Sequence, residues 1–355
     1  MKLFESIMWQ YIDEEPTVLG QMLNRSDIRN LAEKMYSYKQ IYFVSHGSSY
    51  NSSMTVSPFY ARFAHINVHC VTSGNFISSE NLIQLLNPED TLIVCISQTG
   101  NSRGTLLSAQ LAKKYGFTTI GVAADSSATL KNYCDELITL QCGEEDSNAK
   151  TKGMSSTLLA LALFGLYLGC YNKTITEDVV TDVLKEFEAQ INELPEVKKD
   201  TIRFCEENEF GKGIRNFYII GSGMNYGLAL EAQIKLMETM CIPTCAVDTE
   251  EFSHGTHRAI QADTHVLVIR TNENKELAEK TFRYLDQMTN VYMIETFNEN
   301  GGKNVVHIIN HPLTQSILTV VEFIQIISAY GPEWNGLDPN RDANNDFTEL
   351  VETRI

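Results

Sequence analysis

The chain repeats itself. Ile41-Tyr42-Phe43-Val44 runs into Ser45-His46-Gly47-Ser48-Ser49-Tyr50, and Phe217-Tyr218-Ile219-Ile220 runs into Gly221-Ser222-Gly223-Met224-Asn225-Tyr226. Asp90-Thr91-Leu92-Ile93-Val94-Cys95-Ile96 is echoed by Asp263-Thr264-His265-Val266-Leu267-Val268-Ile269. The offsets agree: 221 − 47 = 174 residues for the first landmark and 263 − 90 = 173 for the second. Agreement in spacing, strand composition and turn chemistry marks an internal duplication. Each copy is a short apolar run closed by a Gly/Ser turn and followed by a helical pattern. Within the first copy, Val68–Val71, Asp90–Ile96 and Thr118–Val122 read as strands, and a helix falls at 104–115 between the last two. Strands alternating with helices predict α/β domains, each a parallel sheet flanked by helices in three layers of the flavodoxin or Rossmann type. A length of 355 residues accommodates two such domains. The expected boundaries are 1–172 for the first domain with its N-terminal helices, 173–210 for a linking helix, 211–330 for the second domain and 331–355 for an irregular tail. An acidic amphipathic helix is expected over Thr176–Leu194, followed by a charged link.

Charge narrows the partners. Lys and Arg number 28 against 45 Asp and Glu, a net charge of −17. Nucleic acid is not an expected partner, because backbone binding needs clustered cations. A small phosphorylated ligand is still allowed, since backbone N–H groups and hydroxyls can hold it locally. The eight cysteines form no Cys-x-x-Cys pair, and Cys241 and Cys245 lack zinc-site companions, so no metal is expected and a reduced, cytoplasmic protein is. The N-terminus does not read as a signal peptide. The apolar run Leu158–Cys170 is too short to span a bilayer and reads as a buried helix, so no membrane partner is expected.

Four segments could carry chemistry. Ser97-Gln98-Thr99-Gly100-Asn101-Ser102 follows a buried strand and precedes a helix. Its hydroxyls and the free helix N–H groups would cradle an anion, and Gly100 would allow close approach. The same turn equally fits a Ser-capped helix start. Gly47-Ser48-Ser49 repeats this chemistry after a neighbouring strand, and neither turn is a P-loop. On the helix over about 227–240, Leu230, Ile234, Met237 and Cys241 share one face, while Glu231, Lys235 and Glu238 share another. The second stripe fits a solvated salt-bridge ladder, or a Glu base beside a tuning Lys. Glu250-Glu251-Phe252-Ser253-His254-Gly255-Thr256-His257 is not in zincin order, and its loop His254 suits substrate contact. Asn148, Lys150 and Lys152 lead into the apolar helix, which Asp146 or Ser147 could cap. The two lysines are scarce positive charge in an acidic chain, suited to an anionic substrate or to ordinary surface duty.

Taken together, these segments resemble the tandem sugar-isomerase (SIS) domain family, whose best-known member is the isomerase half of glucosamine-6-phosphate synthase. Ile96-Ser97-Gln98-Thr99-Gly100-Asn101-Ser102 resembles that family's Ser-Gln-Ser-Gly-Glu-Thr phosphate loop, and His46-Gly47-Ser48-Ser49-Tyr50 its Gly-Thr-Ser-Tyr turn. Asn148-Ala149-Lys150-Thr151-Lys152 is similar to its Ala-Ser-Thr-Lys segment. Ala229-Leu230-Glu231 through Lys235 to Glu238 resembles its Ala-Leu-Glu…Lys-x-x-Glu helix, and Glu251-Phe252-Ser253-His254-Gly255 its Glu-Leu-x-His-Gly loop. The five matches keep their order between Met8 and Ile269.

The resemblance implies a phosphate held by Ser97, Gln98, Thr99 and Ser102 with Gly47, Ser48 and Ser49. It implies Glu238 and His254 as the catalytic pair, and Asn148, Lys150, Glu231 and Lys235 as further substrate contacts. It implies no cofactor, and a homodimer or larger assembly with shared sites. Two departures from the synthase stand out. The chain opens Met-Lys-Leu where the synthase has a glutaminase domain with an N-terminal Cys, and its last lysine is Lys303 where the synthase has a ring-opening lysine in its tail. The departures turn the expectation toward the deglycase branch, which acts on 6-phosphorylated Amadori-type compounds such as fructoselysine 6-phosphate or its glucoselysine counterpart. The rivals are an aldose–ketose isomerase or aminosugar-phosphate deaminase or aminotransferase on the same scaffold, and a non-catalytic sugar-phosphate sensor.

Overall fold

The structure is a computed structural model and describes residues 2–354. The first sheet holds β1 (Gln40–Ser45), β2 (Asn67–Thr72), β3 (Thr91–Ile96), β4 (Thr118–Ala123) and β5 (Glu136–Thr139), all parallel, in the order β2-β1-β3-β4-β5. The second holds β6 (Phe217–Ile220), β7 (Thr244–Val247), β8 (His265–Arg270), β9 (Asn290–Glu295) and β10 (Val305–His307), also parallel, in the order β10-β9-β8-β6-β7. Read from the other edge, that order is β7-β6-β8-β9-β10, which matches the first sheet strand for strand. The duplication seen in the sequence is therefore a duplication of topology, and the α/β three-layer expectation is met.

The central strands are continuous apolar runs because helices cover both faces of each sheet. Every residue of β3 is buried, and β8 is buried beyond His265. Phe76, Leu106, Ala109 and Leu130 pack on Ile93 and Cys95 on one face of the first sheet. In the second, Phe252, Phe282 and Leu285 pack on Val266 and Val268.

Contacts divide the chain into two compact units. One comprises Val18–Glu145, Lys152–Leu184 and Asp342–Ile355, around the first sheet; the other comprises Met1–Thr17, Asp146–Thr151 and Lys185–Arg341, around the second. In the first-sheet unit the apolar run becomes the 20-residue helix Lys152–Tyr171. Among the described residues it is the one helix long and apolar enough to cross a membrane, and 94% of its apolar window is buried in the fold. Gly169 lets it press on the chain: a Cβ there would stand 2.4 Å from the Phe63 carbonyl oxygen. The Tyr60 hydroxyl donates to the Leu161 carbonyl at 2.7 Å. In the second-sheet unit the Glu333 carboxylate gathers the N-terminal segment, accepting from the Phe4 and Ser6 N–H groups and the Trp9 indole.

Two local expectations are corrected. The acidic helix does not stop at Leu194: Glu177–Glu207 runs through Pro195 as one 31-residue helix. The last long helix, Ile317–Trp334, continues through Gly331 and Pro332 before the irregular tail.

Candidate functional site

Parallel pairing puts the C-terminal ends of all five strands of a sheet on one edge. In the first sheet β1 and β3 are neighbours whose connections leave in opposite directions, since β2 lies to one side and β4 to the other. Ligands bind in α/β sheets at this kind of switch point. The two hydroxyl-rich turns occupy it: Gly47–Ser49 opens the helix Gly47–Phe63 after β1, and Ser97–Ser102 leads into Arg103–Lys114 after β3. The leading N–H groups of each helix have no carbonyl one turn back and point toward the edge.

The longer turn is built to a fixed shape. The Ser97 hydroxyl donates to Ser102 Oγ at 3.0 Å and accepts from the Gly100 N–H at 3.1 Å. Gly100 sits at φ +68°, and a Cβ there would lie 2.4 Å from the Ala128 Cβ, so only glycine fits. Thr99 donates to Asn101 at 2.7 Å and remains exposed. Gln98 donates to the Glu145 carboxylate at 3.2 Å, and that carboxylate accepts the Gly153 N–H at 3.1 Å. Glu145 therefore caps the helix Lys152–Tyr171, a task expected of Asp146 or Ser147. Ser147 instead donates to the Ala149 carbonyl at 2.9 Å within its own loop.

The tail also reaches this turn, a contact with no local signature in the sequence. Ser102 forms an antiparallel bridge with Arg354, the Arg103 N–H donates to the Thr353 carbonyl at 3.1 Å, and Arg103 pairs with Glu352 at 3.4 Å. The tail thus sets a guanidinium-bearing residue opposite Ser102.

The equivalent switch point of the second sheet, at β6 and β8, has lost this chemistry. The residues after β8 are Thr271-Asn272-Glu273-Asn274. A Cβ on Gly223 would stand 2.5 Å from the Glu273 carboxylate, so the turn after β6 carries one of the chain's own anions. The repeat kept the fold, and the paired hydroxyl-rich turns are found in the first copy.

In the second-sheet unit the helix Met224–Met240 corrects a reading of its faces. Glu231 and Lys235 are 0% exposed and pair at 2.9 Å, while Met237 is 46% exposed and Cys241 is exposed too. Glu231 and Lys235 of the polar stripe face inward and Glu238 is half-buried, while the apolar stripe runs from half-buried Leu230 and Ile234 to exposed Met237 and Cys241. A buried ion pair needs further hydrogen bonds to offset desolvation. Lys235 finds one by donating to the Lys150 carbonyl. The segment that carries Lys150 is held from several sides: Gln325 donates to the Thr151 carbonyl at 3.4 Å, and the Asn148 N–H donates to Asn340 at 2.6 Å. Asn148 is thus engaged by the 340–341 strand of chain, while Arg341 donates to the Thr239 carbonyl at 2.7 Å and fixes the end of the Glu238 helix.

Glu238 lies one turn beyond Lys235 on this polar stripe. Its Oε2 is enclosed without a hydrogen-bond partner. Burial pushes its carboxyl up to about 7; the Lys235 charge opposes the rise, the Glu231 carboxylate adds to it and the Lys150 ammonium moderates it. Such a carboxyl can take and return a proton near neutral pH. His254 is not part of this cluster: it caps the short helix Thr249–Ser253 and is exposed. Among the described residues no group of three His, Cys, Asp or Glu side chains is placed to hold a metal ion.

Known proteins share this fold. Residues 34–167 match the SIS domain. The glutamine–fructose-6-phosphate aminotransferase (isomerizing) of Clostridium tetani strain Massachusetts / E88 is 25% identical over 98% of this chain. The chain spans 59% of that relative's length. A crystal structure from Clostridium difficile 630, provisionally described as a phosphosugar isomerase, superposes with a TM-score of 0.88 at 28% identity, covering 97% of both chains. Glucosamine-6-phosphate deaminase from Thermotoga maritima shares the fold, with a TM-score of 0.76 at 21% identity over 95% of this chain and 97% of its own. The part of this chain that matches the SIS domain, residues 34–167, therefore includes β1 to β5 and both hydroxyl-rich turns.

Proposed function

We propose that the chain is a phosphosugar enzyme that isomerises a 6-phosphorylated sugar–amino acid conjugate and releases the amine, leaving a hexose 6-phosphate. The substrate class is that of fructoselysine 6-phosphate or its glucoselysine counterpart. The observation that carries this reading is Glu238: an enclosed carboxyl with an unpartnered oxygen, pushed up to about 7 beside a buried Lys–Glu pair. In this reading the Ser97–Ser102 and Gly47–Ser49 turns hold the phosphate, the non-reacting end of the substrate. Binding energy gathered there is used to position the reacting carbons. His254 moves a proton between the ring oxygen and the anomeric hydroxyl to open the ring. Glu238 takes a proton from C1, and the C1–H electrons form the enaminol. It then returns a proton to C2, which leaves a C1=N imine of the aldose 6-phosphate. Water adds to C1 and the C–N bond breaks, giving aldehyde and free amine. Asn148, Lys150, Glu231 and Lys235 order the surroundings of the base. The exposure of His254 on its own chain supports a homodimer or larger assembly in which a partner chain shares it.

Purified protein incubated with fructoselysine 6-phosphate, with glucose 6-phosphate read through a coupled dehydrogenase, tests the proposal. Release by the wild type and loss in Glu238→Gln is expected. Full turnover by Glu238→Gln would remove the base assignment. The likeness to the Thermotoga maritima deaminase favours a second reading on the same residues, an aminosugar-6-phosphate deaminase or aldose–ketose isomerase. Ammonia from glucosamine 6-phosphate, or a ketose product, in place of a released amino acid would select it.

A further inference from the structure

The second-sheet unit contains a second enclosed carboxyl that the proposed chemistry does not use. Glu322, in the middle of the helix Ile317–Trp334, is 1% exposed, and its Oε2 has no hydrogen-bond partner. It lines a cavity of about 420 Å³ open to the surface. The size is that of a small-molecule site. The walls come from Ile12 and Pro16 on the N-terminal helix and from Pro195 and Ile202 on Glu177–Glu207. Both prolines lie inside their helices. Pro16 supplies no N–H to the carbonyl of Ile12, another lining residue, so the wall adds an acceptor rather than a donor.

The charged groups around Glu322 are accounted for. Lys198 on the same wall pairs with Asp13 at 2.5 Å and lies over the Trp9 ring at 5.3 Å. Lys199 pairs with Glu196 at 3.0 Å. Glu15, buried at 1% exposure, acts on Glu322 as a like charge. What the cavity lacks is a donor for Glu322 Oε2, and among the described residues no trio of ligating side chains is placed there for a metal ion.

We propose that this cavity is a binding site for a small primary alkylammonium ion, its N–H groups donating to Glu322 and its carbon chain lying against Ile12, Pro16, Pro195 and Ile202. The proposal does not rest on the reaction proposed above. It carries a proton signature. Burial raises the Glu322 carboxyl, Glu15 and Asp13 add to the rise, and the Lys198 ammonium opposes it. Burial in the empty site therefore favours the protonated carboxyl. When the carboxylate–ammonium pair forms, a proton held by the Glu322 carboxyl is released to the buffer.

The probe is n-butylammonium chloride, titrated calorimetrically into the full chain in two buffers of different ionisation enthalpy. Butanol and potassium chloride are the controls. The expected result is saturable binding of butylammonium alone, with a buffer-dependent heat that reports proton release. Glu322→Gln should weaken it about tenfold or more and abolish the proton release. Ile202→Trp, which fills the cavity and leaves the carboxyl in place, should abolish binding, with circular dichroism confirming that both variants are folded. No saturable binding by the wild type would overturn the proposal. So would binding by Glu322→Gln equal to the wild type, or binding that survives Ile202→Trp.

Discussion

Replacing Glu238 with Gln removes the proposed proton-transfer group and relieves the fold at the same time. The carboxyl titrates at about 7 in the folded chain against 4.5 for an ordinary glutamate. A folded-state value above the unfolded one means that the native chain holds its proton more tightly. Stability from this group is full below the unfolded value and is lost as pH rises through the folded one. The gap of about 2.5 units corresponds to about 3 kcal/mol. Gln imitates the protonated carboxyl and does not ionise. Variant and wild type should therefore melt alike near about pH 4, below both values. By about pH 9 the variant should be the more stable by about 3 kcal/mol, a melting difference of about 6–12 °C. Scanning calorimetry of both proteins across that range reads the effect directly. A melting difference independent of pH would refute the reasoning, and so would one that favours the wild type as pH rises. The rate should show the counterpart. If the ionised form is the base, kcat/KM of the wild type rises with pH through about 7.

Other perturbations follow from the same geometry. Lys235→Met strands the buried Glu231 carboxylate and should cost about 3–5 kcal/mol of stability in chemical unfolding. Because Lys235 holds the Glu238 value down, the same variant should shift the pH–rate midpoint upward. Gly100→Ala forces a side chain to φ +68° against Ala128, so it should raise KM for the phosphorylated substrate several-fold and destabilise the unit by about 1–3 kcal/mol. Removal of residues 347–355 takes away the strand paired with Ser102 and Arg103. It should raise KM without altering the circular dichroism spectrum of the remaining chain.

Much of this architecture can be read directly from the sequence, for physical reasons. Strands buried on both faces must be continuous apolar runs, so β1, β3, β6 and β8 stand out, and their matching turns expose the repeat. The switch-point turns are legible because a helix start after a buried strand needs small, hydroxyl-bearing residues and a glycine. Helix periodicity, by contrast, separates the two faces of Met224–Met240 without saying which one is inward. The rule that apolar faces are buried fails here because Glu231 and Lys235 satisfy each other and the Lys150 carbonyl inside the fold. Glu145 carries no cap signature in the sequence because it stands eight residues before the N–H it accepts. Arg354 opposite Ser102 is a pairing across most of the chain, and no local pattern encodes it. Pro195 marks a break by local propensity, yet the 31-residue helix continues because packing along its length outweighs one missing N–H.

The central claim is proton transfer by Glu238 at the sugar carbons. Running the reaction with fructoselysine 6-phosphate in deuterium oxide and examining the glucose 6-phosphate by NMR tests it most directly. Deuterium at C2 of the product from the wild type, with no product from Glu238→Gln, is the expected result. Product from Glu238→Gln at the wild-type rate, whatever its label at C2, would contradict it.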